Sequence, residues 1–220
     1  MHDVFDIMKK FLIILLTGVV MMACGHRKDV ITLSSVLDDM TDMFAPVEYP
    51  VTLYTAGMVS SHDRSSVSPD DSTWFANEDG FGYERLEMNE GREEKVLFEE
   101  KHPGVITRIW ITTRNPKATL RFYFDGHTTP DWVMKSFDFT EFGLNALKDN
   151  SLVQIHTSYE KGIKGGQTFY LPIPYSKGCK ITLEEPEGWT GVPRYYHIEY
   201  RRYPDNTEVE TFSVEAARKY

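Results

Sequence analysis

From Lys95 to Tyr203 the chain reads as a succession of short strands, and this constrains the fold more than any other feature. Val105, Thr107, Ile109 and Ile111 alternate with Ile106, Arg108, Trp110 and Thr112. Leu120, Phe122 and Phe124 alternate with Arg121, Tyr123 and Asp125. Ile181 and Leu183 alternate with Lys180, Thr182 and Glu184, and Tyr196, Ile198 and Tyr200 with His197, Glu199 and Arg201. Side chains on a strand point alternately to opposite faces, so period-two runs of β-branched and aromatic residues predict half-buried strands. Turn signals separate them: His102-Pro-Gly104, Arg114-Asn-Pro116, Asp125-Gly126, Gly165-Gly166, Ser176-Lys-Gly178 and Glu187-Gly188. Many short strands without alternating helices predict an all-β, jelly-roll-like antiparallel sandwich.

The flanks differ. Lys9 and Lys10 precede an apolar run, Phe11 to Ala23, too short for a comfortable span of ~20 apolar residues. This is the pattern of a secretory signal. Met21-Met-Ala-Cys24-Gly25 is similar to a bacterial lipobox, which implies lipidation at Cys24, export, and lipid anchoring in the cell envelope as the sole membrane contact. Residues 1–23 are thus expected to be a signal peptide, and residues 24–50 a tether and helix. Leu33, Leu37, Met40 and Phe44 recur at helical spacing, with Ser34 as the expected cap and Asp38 and Asp39 near the positive end of the dipole. Pro46 and Pro50 stop this helix. Residues 51–204 form the expected jelly roll. Residues 205–220 are read as a connector helix cut in mid-course, for Ala216, Ala217, Arg218 and Lys219 favour helix and no stop signal follows.

Chemistry is less densely written. The formal net charge is −9, which argues against nucleic acid as a partner and is compatible with a neutral sugar. Cys179 is the one cysteine besides Cys24. It lies in a strand-like stretch and reads as a buried structural thiol. Ser60-Ser61-His62-Asp63 sets a serine, a histidine and an aspartate side by side, but a hydrolase triad is assembled in space and not from neighbours. Asn77-Glu-Asp-Gly80 hints at calcium, yet Phe75 stands where a ligand is required. His102, His127, His156 and His197 are scattered without metal spacing. No metal, cofactor or catalytic residue is expected.

Residues 57–92 have no sustained period and read as a long loop, rich in acids and carrying Trp74, Phe75, Phe81 and Tyr83. Loops of this length inside a compact domain are usually functional or disordered, and the aromatics argue against disorder. Asp63, Asp70, Asp71, Glu78 and Asp79 could hydrogen-bond sugar hydroxyls while Trp74 and Tyr83 stack on sugar faces; a merely solvated acidic loop is the other reading.

Several segments in order carry a family resemblance: Ser34-Ser-Val-Leu-Asp-Asp-Met-Thr-Asp42, Val59-Ser-Ser-His-Asp-Arg64, Asp70-Asp-Ser-Thr-Trp-Phe-Ala-Asn-Glu-Asp-Gly80, Gly104-Val-Ile-Thr-Arg-Ile-Trp110, Leu120-Arg-Phe-Tyr-Phe-Asp-Gly126, Gly165-Gly-Gln-Thr-Phe-Tyr-Leu-Pro-Ile-Pro174 and Tyr195-Tyr-His-Ile-Glu-Tyr200. The chain resembles the N-terminal part of glycoside hydrolase family 172, formerly domain of unknown function 2961. That resemblance implies a furanose-containing glycan as partner, α-arabinofuranosyl or fructofuranosyl, and a trimer-based homo-oligomer. It places Ser61, Asp63, Arg64, Trp74, Asn77 and Asp79 along the sugar pocket, with Arg64 pairing with Asp63 or Asp79; alternatively Asp63 and Arg64 only pin the loop. His62 stands where the family carries an aromatic. The family's catalytic glutamates lie in motifs of the Gly-Glu-Gly-Asp-Glu and Gly-Thr-Glu-Asp-Tyr kind, and neither occurs in this sequence. The expectation is a fragment or split gene product, inactive alone. A stand-alone glycan-binding lipoprotein and a structural module are the alternatives.

Overall fold

A computed structural model describes residues 30–142, 152–156, 158, 165–189 and 191–219. The signal segment and Cys24 lie outside the described residues. Eleven strands are present among them: β1 Thr55–Ser60, β2 Arg85–Asn89, β3 Arg92–Glu100, β4 Gly104–Thr112, β5 Thr119–Phe124, β6 Trp132–Met134, β7 Val153–Ile155, β8 Gln167–Phe169, β9 Ile173–Tyr175, β10 Cys179–Glu184 and β11 Tyr195–Arg202. Three short helices accompany them: α1 Leu33–Thr41, α2 Phe139–Phe142 and α3 Val214–Ala217.

The strands form two antiparallel sheets. The first runs β1-β11-β4-β8-β7, with β9 also paired to β4; the second runs β2-β3-β10-β5-β6. The last two strands are inserted between early ones, β10 between β3 and β5 and β11 between β1 and β4. The chain therefore crosses repeatedly from sheet to sheet, the habit of a jelly-roll-like sandwich.

Adjacent register rows of the first sheet show why the chain folds this way. One row, Val59, Ile198, Ile109, Phe169 and Val153, is apolar throughout and belongs to or packs on the core between the sheets. It meets Phe98, Leu120, Phe122, Ile181 and Leu183 of the second sheet. The neighbouring row, Ser60, His197, Trp110, Thr168 and Gln154, points the other way, because directly opposed residues share a face. Aromatic stacking adds to this core, with Phe139 on Phe169 at 4.6 Å and Phe122 on Trp132 at 4.2 Å. Cys179 is buried in the same core, and burial pushes its thiol well above the ordinary range, the inert thiol its strand setting predicts.

The structure departs from the sequence reading in several places. The long loop is shorter than expected, since β1 and β2 occupy its ends and leave residues 61–84. A two-residue turn joins β2 to β3, with Glu90 and Gly91 both at positive φ, 51° and 82°, as a twisted hairpin turn demands. In β4, Glu199 pairs with Arg108 but Tyr200 pairs with Ile106, so Thr107 is an extra residue. This bulge breaks the single alternation expected for the strand: Ile106, Ile109 and Ile111 face the main core, while Val105 joins Val36, Tyr203 and Val209 in a small cluster under α1.

Helix α1 is capped by Thr32 and not by Ser34. The Thr32 hydroxyl oxygen accepts from Ser35 N–H at 3.1 Å, and Ser35 Oγ accepts from Thr32 N–H at 2.9 Å. No acidic residue sits in its first turn, so Asp38 and Asp39 do not meet the positive end of its dipole. Leu33 and Val36 are its buried residues, whereas Met40 and Phe44 are exposed; the expected stripe therefore covers only the first half of the helix. At the other terminus α3 spans four residues, capped by Ser213 Oγ, which accepts from Ala216 N–H at 3.1 Å.

Candidate functional site

Residues 61–84 fold into a compact loop at the end of β1. Ser61 is buried; its hydroxyl oxygen accepts from Tyr196 N–H at 3.1 Å, and its backbone exchanges bonds with Tyr196 and Gly80. Ser61 thus fastens the loop to the sheet. Gly82 is confined here, because a Cβ would lie 2.1 Å from the His62 carbonyl oxygen.

Asp63 organises the loop interior. One carboxylate oxygen accepts from Ser65 N–H at 2.9 Å and from the Ser65 hydroxyl at 2.5 Å; the other accepts from Glu78 N–H at 2.9 Å. Its own N–H donates to Asp79 Oδ1 at 2.8 Å. The Ser65 hydroxyl above all, then the Ser65 and Glu78 amides, hold the Asp63 carboxyl below the usual carboxylate range. A carboxylate so held stays ionised near neutral pH, which suits a hydrogen-bond acceptor and not a general acid.

Arg64 pairs with neither Asp63 nor Asp79, contrary to the pairing expected from the sequence. Its Nη2 lies 2.8 Å from Glu84 Oε1, its Nη1 2.7 Å from His62 Nδ1, and its Nε donates to the Tyr83 carbonyl at 3.4 Å. The reason is geometric: the Asp63 carboxylate is already engaged by the Ser65 amide and hydroxyl and the Glu78 amide, and the guanidinium turns to Glu84, just before β2. His62 bridges this pair to the sheet, with Nδ1 3.1 Å from Ser60 Oγ.

The loop thus ties Asp63 to the Glu78 amide and the Asp79 carboxylate, and separately gathers His62, Arg64 and Glu84. Asn77 and Asp79 are exposed, and Trp74 stands 41 % exposed. Tyr83 is half-buried against the core and covered by the Lys95 ammonium, 5.6 Å from the ring centroid, so its ring is committed and Trp74 alone of the two offers a stacking face. The trio His62, Arg64 and Glu84 was not apparent in the sequence, for nothing in it indicates that Glu84 returns to β1.

Buried acids elsewhere are structural. Glu94 accepts from Tyr123 Oη at 2.8 Å and Thr182 Oγ1 at 2.7 Å; Glu100 faces Arg202 at 2.7 Å; Asp138 accepts from Gln167 Nε2 at 2.7 Å. Burial alone would raise the Glu94 carboxyl, but the Thr182 and Tyr123 hydroxyls and two arginines outweigh it and hold the pKa low. A groove of about 560 Å³ lies on the outer face of the second sheet, lined by Glu87, Asn89, Glu99, Tyr123 and Lys180 among others. Several of its charges are paired, Lys180 with Glu87 at 2.8 Å and Glu99 with Arg85 at 2.9 Å. Among the described residues no three His, Cys, Asp or Glu side chains are grouped to hold a metal ion, and no helix is long and apolar enough to cross a membrane.

A family model described as the GH172 first beta-sandwich domain matches residues 52–220, the two sheets and the loop together. No curated protein matches the chain.

Proposed function

The chain belongs to glycoside hydrolase family 172, and on that premise we propose that it is a furanose-recognising sandwich that binds α-arabinofuranosyl or fructofuranosyl units and does not hydrolyse them unaided. The observation that carries the reading is the family match across both sheets and the loop, in a sequence holding neither of the glutamate motifs expected of the catalytic pair. Glycoside hydrolysis needs two acids flanking the scissile bond, one of them protonated. The acid at the heart of the loop, Asp63, is instead held ionised by its own loop.

In this reading Trp74 stacks on a sugar face, Asn77 and Asp79 hydrogen-bond its hydroxyls, and Asp63, Arg64 and Ser61 keep the loop in shape. Aromatic stacking supplies affinity while the few polar groups fix orientation. Affinity electrophoresis of the full chain through gels containing debranched arabinan tests it. Retardation is expected, and Trp74→Ala should abolish it. Unretarded wild-type protein in both arabinan and inulin gels contradicts the proposal.

A further inference from the structure

One edge of the first sheet has no cover. Among the described residues β1 pairs with β11 alone. Ser61 N–H donates to the Tyr196 carbonyl. Inward and outward amides alternate along an antiparallel strand, so Val59 and Gly57 also point to β11, whereas Ala56, Met58 and Ser60 turn their N–H and C=O groups to the open side. Ala56 and Met58 are exposed. An unpaired edge is a template for another chain, and proteins blunt such edges with charge, proline, short length or a cover. The other edges are blunted: β2 carries Arg85 and Glu87, and β6 and β7 have three residues each. Strand β1 has six residues with no charge and no proline, and the uncharged run extends back to Val51.

The stretch leading into β1 is equally uncovered. Met43, Phe44, Val47, Tyr49, Val51 and Leu53 are each more than half exposed. At roughly 150–250 Å² for a large side chain they present on the order of 800 Å² of mostly apolar surface. Monomers rarely show so large a patch, and each partner in a standard stable interface buries about that much. Glu48 is the one charge between Met43 and Ser60. On β11, Glu199 beside Met58 pairs with Arg108 at 2.5 Å, and Arg201 beside Ala56 pairs with Asp39 at 3.6 Å. Pairing at this edge therefore isolates no charge on β11. The edge is also firmly seated, for the Tyr200 ring lies over Gly57, where a Cβ would come within 2.4 Å of it.

We propose that β1 pairs antiparallel with β1 of a second copy about a two-fold axis, joining their first sheets into one and covering the Met43–Leu53 stretch of each. A second copy fits because an antiparallel edge is its own complement under a two-fold, and each copy brings its own half of the apolar area. The contact closes at two copies, which separates it from the trimer that the family resemblance implies. Sedimentation velocity of the full chain at micromolar concentration tests it, together with hydrogen exchange of the β1 amides. The expected mass is twice 25.4 kDa or an even multiple of it, with the Ala56, Met58 and Ser60 amides protected until dilution. Met58→Pro removes an outward amide and no bond to β11, so it should halve the mass. If that variant melts early, Met58→Lys, which keeps the backbone and sets a charge on the edge, should halve it instead. One or three copies of the wild-type chain overturn the proposal, as does an even assembly that both variants leave intact. A monomer that floats with phosphatidylcholine vesicles also overturns it, assigning the apolar stretch to a lipid surface.

Discussion

At the residue scale, Arg194 is a buried charge with several partners. It is 2 % exposed, pairs with Glu185 at 2.7 Å, donates to the Lys117 carbonyl at 2.6 Å and to that of Asn115, and lies over the Phe137 ring. One guanidinium therefore ties the β4–β5 connection to the β10–β11 connection. Its planar fork makes this possible, and no lysine could serve every partner. Truncating one member of a buried, hydrogen-bonded pair leaves the other charge and several carbonyls uncompensated, a cost of about 3–5 kcal/mol. Arg194→Ala should accordingly lower the urea midpoint by that much free energy. A loss under 1 kcal/mol would show that solvent replaces these contacts. None of this was legible in the sequence, where Arg194 sits in an unremarkable loop. The acid Asp63 was legible as a candidate, but its saturation by Ser65 and Glu78 was not, because those bonds depend on a loop conformation without periodic signature.

At the element scale, legibility followed regularity. The strands β5, β10 and β11 were readable because their alternation is unbroken and each face has one fate. Strand β4 was readable as a strand but not in phase, because the bulge at Thr107 exchanges faces midway and a bulge leaves no mark in an alternating pattern. Strands β1 and β2 were hidden in polar sequence, since β1 and β2 form sheet edges and bury little. Helix α1 shows the same limit in another form. Its stripe is apolar over four positions, but the sheet lies under the first half only, so Leu33 is 6 % exposed and Met40 46 %. Leu33→Ala should cost about 2–5 kcal/mol as a core truncation, and Met40→Ala should fall within roughly 0.5 kcal/mol of wild type. Equal costs measured by denaturation would mean that the helix lies against the sheet along its whole length.

At the scale of the whole molecule, the sandwich sets a loop and a sheet face side by side. The core row Val59 to Val153 and the outer row Ser60 to Gln154 are consecutive positions on the same five strands, so packing that fixes the first also fixes the second. Strands hold side chains more rigidly than loops do, so the outer row is fixed as firmly as the core row. The sequence placed Trp110 and His197 out of phase with the core, but their adjacency follows from register between β4 and β11, which no single strand discloses. The proposed function is furanose recognition without unaided hydrolysis. Release of nitrophenol from 4-nitrophenyl α-arabinofuranoside by the purified full chain measures it directly. A rate indistinguishable from buffer at saturating substrate is expected. Steady turnover at an enzymatic rate, about 1 per second or faster, would contradict it.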